Sequence, residues 1–370
     1  MVQVEEVKNK RQLREFVMLP FRIYKRECCW VPPLVSEEYA TFSPTKNPFF
    51  KHSRVRLLLA YREKVPVGRI SCHIDFNFNE FWGTKTAQWG FFESINDPDV
   101  SSALLEAAVD FGRTNRMETL VGPLSFSTNN ITGLLVDAFD LPPVVMMPYN
   151  PSYYPDLVEL FGFTKAKDLL AYIIDKPEVP ERLARASQIL KKRGNFIIRK
   201  LDFSHLNDEV KILKDIYNRA WERNWGFVPM TDEEFFYTAH QLKQVADKDL
   251  VFIAEVKGEP VGFSLAIPDI NFALKKINGR LTPIALLKLL WYSRRITKLR
   301  VIIFGVVSGF RNRGIEAAFI HRTFEEGIRK GYRSAELSWV LEDNRPMRNE
   351  IEKLGGRVYK TYRVYSFPLV

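Results

Sequence analysis

Residues 300–316 carry the densest chemical signal in the chain. Arg300-Val301-Ile302-Ile303-Phe304-Gly305-Val306-Val307 is an apolar run of strand length, and it leads directly into Ser308-Gly309-Phe310-Arg311-Asn312-Arg313-Gly314-Ile315. From Glu316 to Lys330 the apolar residues then recur at helical spacing. A strand, a Gly/Arg loop and a helix make a seat for an anion. The first N–H groups of a helix have no partner within it and point outward. The helix dipole favours negative charge at that end. Gly309 and Gly314 let a ligand approach the backbone, and Arg311 and Arg313 add charged donors. The same residues would also serve an ordinary turn with two solvated arginines. Arg-x-x-Gly alone is a weak motif, but its place between a buried strand and a helix favours a diphosphate.

The elements that must position this loop occur twice. Leu57-Leu58-Leu59-Ala60 and Val251-Phe252-Ile253-Ala254 are apolar runs ending in Ala, and each is followed six positions later by Pro-Val-Gly (Pro66-Val67-Gly68, Pro260-Val261-Gly262). Each reads as a strand, a tight turn and a second strand. Downstream, Leu104 to Arg113 and Ala317 to Lys330 predict helices, and Glu118 to Val121 and Ala335 to Leu341 predict strands. A short helix ending in glycine closes each copy, at Gly162 and at Gly355-Gly356. The spans from Ala60 to Gly162 and from Ala254 to Gly355 differ by one residue. Two copies of one α/β unit are therefore expected, over 1–175 and 196–370, with a polar linker helix over 176–195.

Over 196–370 the order of elements resembles the GNAT acyltransferases. Phe196 to Leu201 corresponds to the first strand. Leu206 to Arg223 and Thr231 to Gln244 correspond to the two helices, Val251 to Ile267 to the strand pair, and Val301 to Val307 to the central strand. The resemblance implies the fold class α/β with two tandem GNAT-like domains, each a mixed, mainly antiparallel sheet flanked by helices. It implies acetyl-CoA or a longer acyl-CoA at Arg311, Asn312, Arg313, Gly314 and Ile315, which fit the family's Gln/Arg-x-x-Gly-x-Gly/Ala signature. Glu316 stands where that signature ends in a small residue, and a carboxylate there repels a diphosphate unless it points away. Ala335 to Leu341 looks like the strand that splays from the central strand to admit the pantetheine arm. Asn344 sits where the family often contacts that arm, although Asn before Arg345-Pro346 is also a good helix cap.

The implied activity is direct acyl transfer from a thioester to an amine of unknown identity, carried by a small molecule or a peptide. A carboxylate or a water chain must take the amine proton, with Glu336 and Asp269 as candidates. A backbone N–H near Val306 or Val307 would hold the oxyanion. The leaving thiolate often takes a proton from a tyrosine in this family. Ile351 stands at that place here, which leaves Tyr359 and Tyr362 on the next strand as substitutes.

The first copy differs. Its corresponding loop, Glu93-Ser94-Ile95-Asn96-Asp97-Pro98-Asp99, has no glycine or arginine and three carboxylates. Asp97 and Pro98 start a helix well, but the site would repel a diphosphate, so this copy is expected to be degenerate. An insertion at 282–295 predicts a helix that is apolar over a wide face and basic at its end. Packing on the other domain is expected first, with a lid over a long acyl chain or a peripheral membrane contact as the other roles.

The net charge of +10 favours anionic partners without choosing among them. Three scattered cysteines make neither a disulfide framework nor a metal site. Nothing reads as a signal peptide or a membrane span, so a cytoplasmic location is expected and no specific nucleic acid is. Two other readings fit the duplicated fold: a transferase using aminoacyl-tRNA, and a non-catalytic acyl-CoA-binding protein on the same scaffold.

Overall fold

The hairpins that revealed the repeat have the same backbone in both copies. In the structure, a computed structural model describing residues 1–175, 178–181, 183–185 and 196–370, β2 (Ser53–Arg62) pairs antiparallel with β3 (Val65–Asp75). Strand β9 (Val251–Val256) pairs likewise with β10 (Glu259–Pro268). Glu63 and Lys64 turn the first hairpin with positive φ, and Lys257 and Gly258 turn the second. That is the two-residue turn whose twist suits antiparallel strands. In each, the valine of Pro-Val-Gly is an extra residue: Pro66 and Gly68 face the adjacent Tyr61 and Ala60, and Pro260 and Gly262 face Glu255 and Ala254. The shared Pro-Val-Gly thus encodes a bulge.

The chain forms two compact units, comprising 1–169, 273–289 and 360–370 in the first, and 170–272 and 290–359 in the second. The units are therefore discontinuous in sequence, whereas the two expected copies, 1–175 and 196–370, are contiguous stretches. The expected linker helix over 176–195 lies largely outside the described residues.

In the first unit β1 (Gln3–Glu6), β2, β3, β4 (Thr86–Ser94) and β5 (Thr119–Gly122) lie in sheet order. Beyond β5 lies β13 (Arg357–Pro368), whose Tyr365, Ser366 and Phe367 register with Gly122, Val121 and Leu120. The short strand β6 (Leu134–Leu135) also pairs with β13. Helix α1 (Lys10–Ile23) packs on one face through Phe16, Val17 and Leu19. After α2 (Val35–Thr41) and α3 (Phe76–Trp82), α4 (Pro98–Thr114) covers the other face with Val100, Leu104, Leu105 and Ala108. Helix α5 (Tyr154–Phe161) joins that core through Tyr154 and Val158 and precedes β7 (Thr164–Ile174). On the α1 face His73 is fully buried against Phe49 and Phe126, and its Nε2 lies 2.7 Å from the Phe126 carbonyl. Burial pushes its pKa down to about 3, against the opposing pull of that hydrogen bond.

In the second unit β8 (Ile197–Lys200), β9, β10, β11 (Lys298–Val306) and β12 (Ser334–Leu341) lie in sheet order. Helices α6 (Leu206–Trp221) and α7 (Asp232–Lys243) follow β8, α8 (Asn271–Leu274) follows β10, and α10 (Ile315–Arg329) lies between β11 and β12. Helix α11 (Arg345–Lys353) packs Ile351 and Met347 with Val340 of β12 and Leu170 and Tyr172 of β7. The C-terminal end of α10 is tied down by charge. Lys200 bridges Asp249 at 2.7 Å and Glu326 at 3.1 Å, and Lys330 reaches Asp247 at 2.7 Å. Hydrogen bonds from Lys200 and Lys330 hold Asp249 well below the ordinary carboxylate range.

The 282–295 insertion forms α9 (Pro283–Ser293), as expected. Its wide apolar face is not packed away. Ile284, Leu286, Leu287, Leu290 and Trp291 are all exposed. Among the described residues, no helix is long and apolar enough to cross a membrane.

Candidate active site

Strand β11 is the axis of the second unit. Its antiparallel ladder with β10 shifts register between Leu265 and Ala266, because Leu265 faces Ile303 while Ala266 faces Val301. Ile302 is the extra residue. On the other side, the parallel ladder with β12 runs only from Lys298↔Ser334 to Val301↔Leu337. Both strands continue, to Val306 and Leu341, without further register. The bulge and the parting of the strands therefore coincide at Val301–Ile302. Past that point β11 and β12 leave a gap about five residues long, or roughly 16 Å at 3.3 Å per residue.

Alternation along β11 decides which amides face this gap. The Val307 N–H donates to the Val261 carbonyl at 2.8 Å, so this pair is a hydrogen-bonded one. The neighbouring pair Gly262↔Val306, and Ser264↔Phe304 two residues on, are then non-hydrogen-bonded, with their β11 N–H groups turned towards β12. Of the expected pair, Val306 presents its N–H to the gap and Val307 does not. Phe304 presents a second N–H that the sequence reading missed. The bulge at Ile302 and the hydrogen-bonding parity together would have pointed to it, and neither is visible before the register is known.

The loop at the open end of the gap follows the expected plan with altered roles. Ser308–Phe310 is a single 3-10 turn, Gly314 caps α10 at φ 88°, and Ile315 begins the helix. A side chain at Gly314 would strain that backbone. At Gly309 a Cβ would meet nothing within 4 Å, so the loop is open there. Arg311 is exposed, and its guanidinium bends back onto the backbone. Its Nε donates to the Val306 carbonyl at 2.9 Å, and Nη2 donates to the Ala220 carbonyl at 2.7 Å. It braces the loop against the ends of β11 and α6. Arg313 is exposed, with its guanidinium 5.1 Å from the Phe310 ring centroid. Ile315 is buried with Val306 and Phe319, so only its backbone can serve a ligand. Glu316 does not point away. Its carboxylate accepts from the Asn312 N–H at 3.3 Å and covers one of the loop's donors.

The closed end of the gap holds a buried polar cluster. Arg300 and Glu336 face each other across the parallel ladder. Glu336 is wholly buried and accepts from the Ser338 hydroxyl and from the Tyr359 hydroxyl. Arg300 donates from Nε to Ser338 Oγ at 3.0 Å and from Nη2 to the Ser338 carbonyl at 3.3 Å. The structure thus brings Glu336 and Tyr359 together, joined by a direct hydrogen bond. Tyr362 lies elsewhere, buried in the first unit opposite Leu135. Asp269 is buried where β10 ends, its backbone N–H donating to the Lys298 carbonyl at 2.9 Å. Asn344 is the N-cap of α11, and its side chain accepts from the Met347 N–H. Among the described residues there is no group of His, Cys, Asp and Glu that could hold a metal ion.

In the first unit the corresponding space is filled. The Leu124 N–H donates to the Trp89 carbonyl at 2.7 Å, just past the β4–β5 parallel ladder. A Cβ on Gly90 would come within 1.7 Å of the Leu124 carbonyl oxygen, so the two strands touch backbone to backbone. At the start of α4 the Asp97 side chain accepts from the Asp99 N–H and pairs with Arg62 at 2.7 Å. Glu93 is buried. That burial raises its pKa against the pull of Arg69, and the Tyr154 hydroxyl donates to it at 2.7 Å.

No protein-family model matches the chain. Over 376 aligned positions it is 37% identical to the bacterial ceramide synthase of Caulobacter vibrioides, covering 99% of this chain and 97% of that protein. The chain belongs to this family. Protein YghO of Escherichia coli is 33% identical over 364 positions, covering 97% of this chain and 93% of that one. Among solved structures, a tandem GNAT protein from the clavulanic acid biosynthesis pathway superposes with a TM-score of 0.60 at 12% identity, covering 100% of this chain and 99% of that one. A probable N-acyltransferase from Enterococcus faecalis gives 0.53 at 10% identity, covering 100% and 73%. At such identities the likeness is one of fold: the chain has the tandem GNAT fold, a mixed α/β architecture with largely antiparallel sheets flanked by helices.

Proposed function

We propose that the chain is an acyl-CoA-dependent N-acyltransferase that joins a fatty acyl group to the amino group of a long-chain amino alcohol, the chemistry that makes a ceramide. The observation that carries the reading is the gap between β11 and β12, with a phosphate-type loop at one end and the Glu336–Tyr359 pair at the other. The lipid nature of the substrates is drawn from the name of the Caulobacter relative.

The residues present fit such a donor. The first N–H groups of α10 and the Arg313 side chain would hold its diphosphate. The N–H groups of Val306 and Phe304 line the path of an extended arm. When bound, the thioester supplies the acyl group, which leaves sulfur for the amine nitrogen. Phe304 lies nearer the closed end than Val306, so its N–H is the donor placed for a carbonyl oxygen there. Tyr359, half-buried and bonded to Glu336, can take the amine proton while its own hydroxyl proton passes to Glu336, and the same pair would return one proton to the departing thiolate. Arg300 faces Glu336 across the parallel ladder and brings a positive charge into the same buried cluster through its bonds to Ser338.

The test is direct. Purified chain is incubated with palmitoyl-CoA and a sphingoid base, with release of free thiol and formation of N-acylated product followed together. Stoichiometric thiol and amide would support the reading. Acyl-CoA binding without turnover on any amine would leave a non-catalytic binder, and no binding at all would end the coenzyme-A assignment.

A further inference from the structure

We infer that the outer face of α9 docks on the surface of an anionic phospholipid bilayer. At 100° per residue, Leu286, Leu290, Leu287, Trp291 and Ile284 fill one continuous arc of about 160° on the helix. All five are exposed, from 49% for Leu286 to 70% for Ile284, while Ala285 on the opposite side is buried. The helix is inside out relative to an ordinary surface helix, whose apolar arc would face the core. Leu281, two residues before the helix, is exposed as well.

Charge identifies the occupant. Between Asp269 and Arg300 there are seven lysines and arginines and no aspartate or glutamate. Lys288 borders the apolar arc, and Arg294 and Arg295 follow the helix end; all three are exposed. The Arg295 guanidinium lies 3.5 Å from the Trp291 ring centroid, and the Trp291 and Tyr292 rings meet edge to face. At the foot of the helix, Arg14 and Arg280 line a cavity of about 400 Å³ together with Leu281. An apolar face with a basic rim, and a tryptophan and a tyrosine beside it, matches the polarity profile of a membrane interface whose headgroups are anionic. A protein partner would be expected to meet at least some acidic residues in so long a segment; a negatively charged lipid surface needs none. The docking stands on this surface alone. It adds to the proposed function a source from which lipid substrates would be drawn.

Full-length protein is sedimented with phosphatidylcholine vesicles, with and without phosphatidylglycerol. Retention is expected on the mixed vesicles and should fall with added salt. Ile284→Gln/Leu287→Gln/Trp291→Gln should weaken partitioning by at least about tenfold. Lys288→Gln/Arg294→Gln/Arg295→Gln should weaken it on anionic vesicles by on the order of 100-fold. Both sets are exposed, and the single change Leu287→Gln serves as a milder check if a triple variant melts early. No retention of wild type, or retention that neither set alters, would overturn the proposal. So would an apolar variant that changes only the oligomeric state, or only the KM for long acyl-CoA, because the face would then be a dimer contact or a lid. Acyl transfer in vesicle-free buffer is read in parallel. Transfer without vesicle binding refutes the docking and spares the proposed function; vesicle binding without transfer does the reverse.

Discussion

Replacing Arg311 separates two accounts of the loop. If the guanidinium reaches a diphosphate, Arg311→Ala weakens binding and leaves the fold alone. If it braces the Val306 and Ala220 carbonyls, as its 2.9 Å and 2.7 Å contacts indicate, the variant loses stability first. A hydrogen bond to a charged group contributes about 1.5–3 kcal/mol, and with part of the side chain in solvent the lower end applies, giving about 3 kcal/mol for the two. In a folding unit of this size about 1 kcal/mol shifts Tm by ~2–4 °C, so Arg311→Ala should melt about 6–12 °C early. Arg313→Ala removes only an exposed contact with Phe310, of about 0.5–1 kcal/mol, and should melt within ~1–4 °C of wild type. Calorimetric titration with acyl-CoA completes the comparison: Arg313→Ala should bind more weakly at nearly unchanged Tm. A wild-type Tm for Arg311→Ala, with binding lost, would refute the brace and return Arg311 to the ligand.

Glu316→Ala frees the Asn312 N–H and removes a negative charge from the start of α10, so acyl-CoA affinity should rise by about fivefold in the same titration; an unchanged or weaker affinity would show that the carboxylate does not compete. Glu336→Gln and Tyr359→Phe should each lower kcat by about 100-fold or more with little change in acyl-CoA binding, and a wild-type kcat for both would remove the pair from the chemistry. His73 has its pKa depressed to about 3 in the folded state, so below about pH 6.5 the unfolded chain takes up a proton that the folded chain refuses. Stability should therefore fall as pH drops from about 6.5 towards 3, by up to about 5 kcal/mol, and urea midpoints should lose that slope in His73→Gln. Asn344→Ala should cost about 1 kcal/mol through the lost cap on Met347, read as a small Tm shift with no loss of acyl-CoA affinity.

Much of this architecture was legible because local rules carry it. Pro-Val-Gly after an Ala-terminated run marks the same bulged hairpin twice, and the glycines at 314 and 355 punctuate helices where the backbone turns left-handed. The loop's location was equally readable. The direction of its side chains was not. Whether Arg311 faces a ligand or the Ala220 carbonyl depends on where a helix ninety residues earlier ends, and spacing along the chain holds no such information. The same holds for Tyr359 and Tyr362. They are three residues apart on one strand, so they point to opposite faces, and the strand itself passes from one unit into the other between them. The choice of Val306 over Val307, and the addition of Phe304, follow from ladder parity, which a one-residue bulge at Ile302 resets.

The placement of residues 360–370 in the first unit has a consequence for biosynthesis. The strand that registers against β5 is made almost 240 residues after it. A ribosome that has finished the whole first copy has still not supplied this partner, and the edge of β5 must wait, hydrogen-bonding groups exposed, through synthesis of everything between. The first half of the chain is thus the last to be completed. A nascent chain stalled before residue 360 should be trapped by chaperones or proteases through its N-terminal half, although the missing residues lie at the other end.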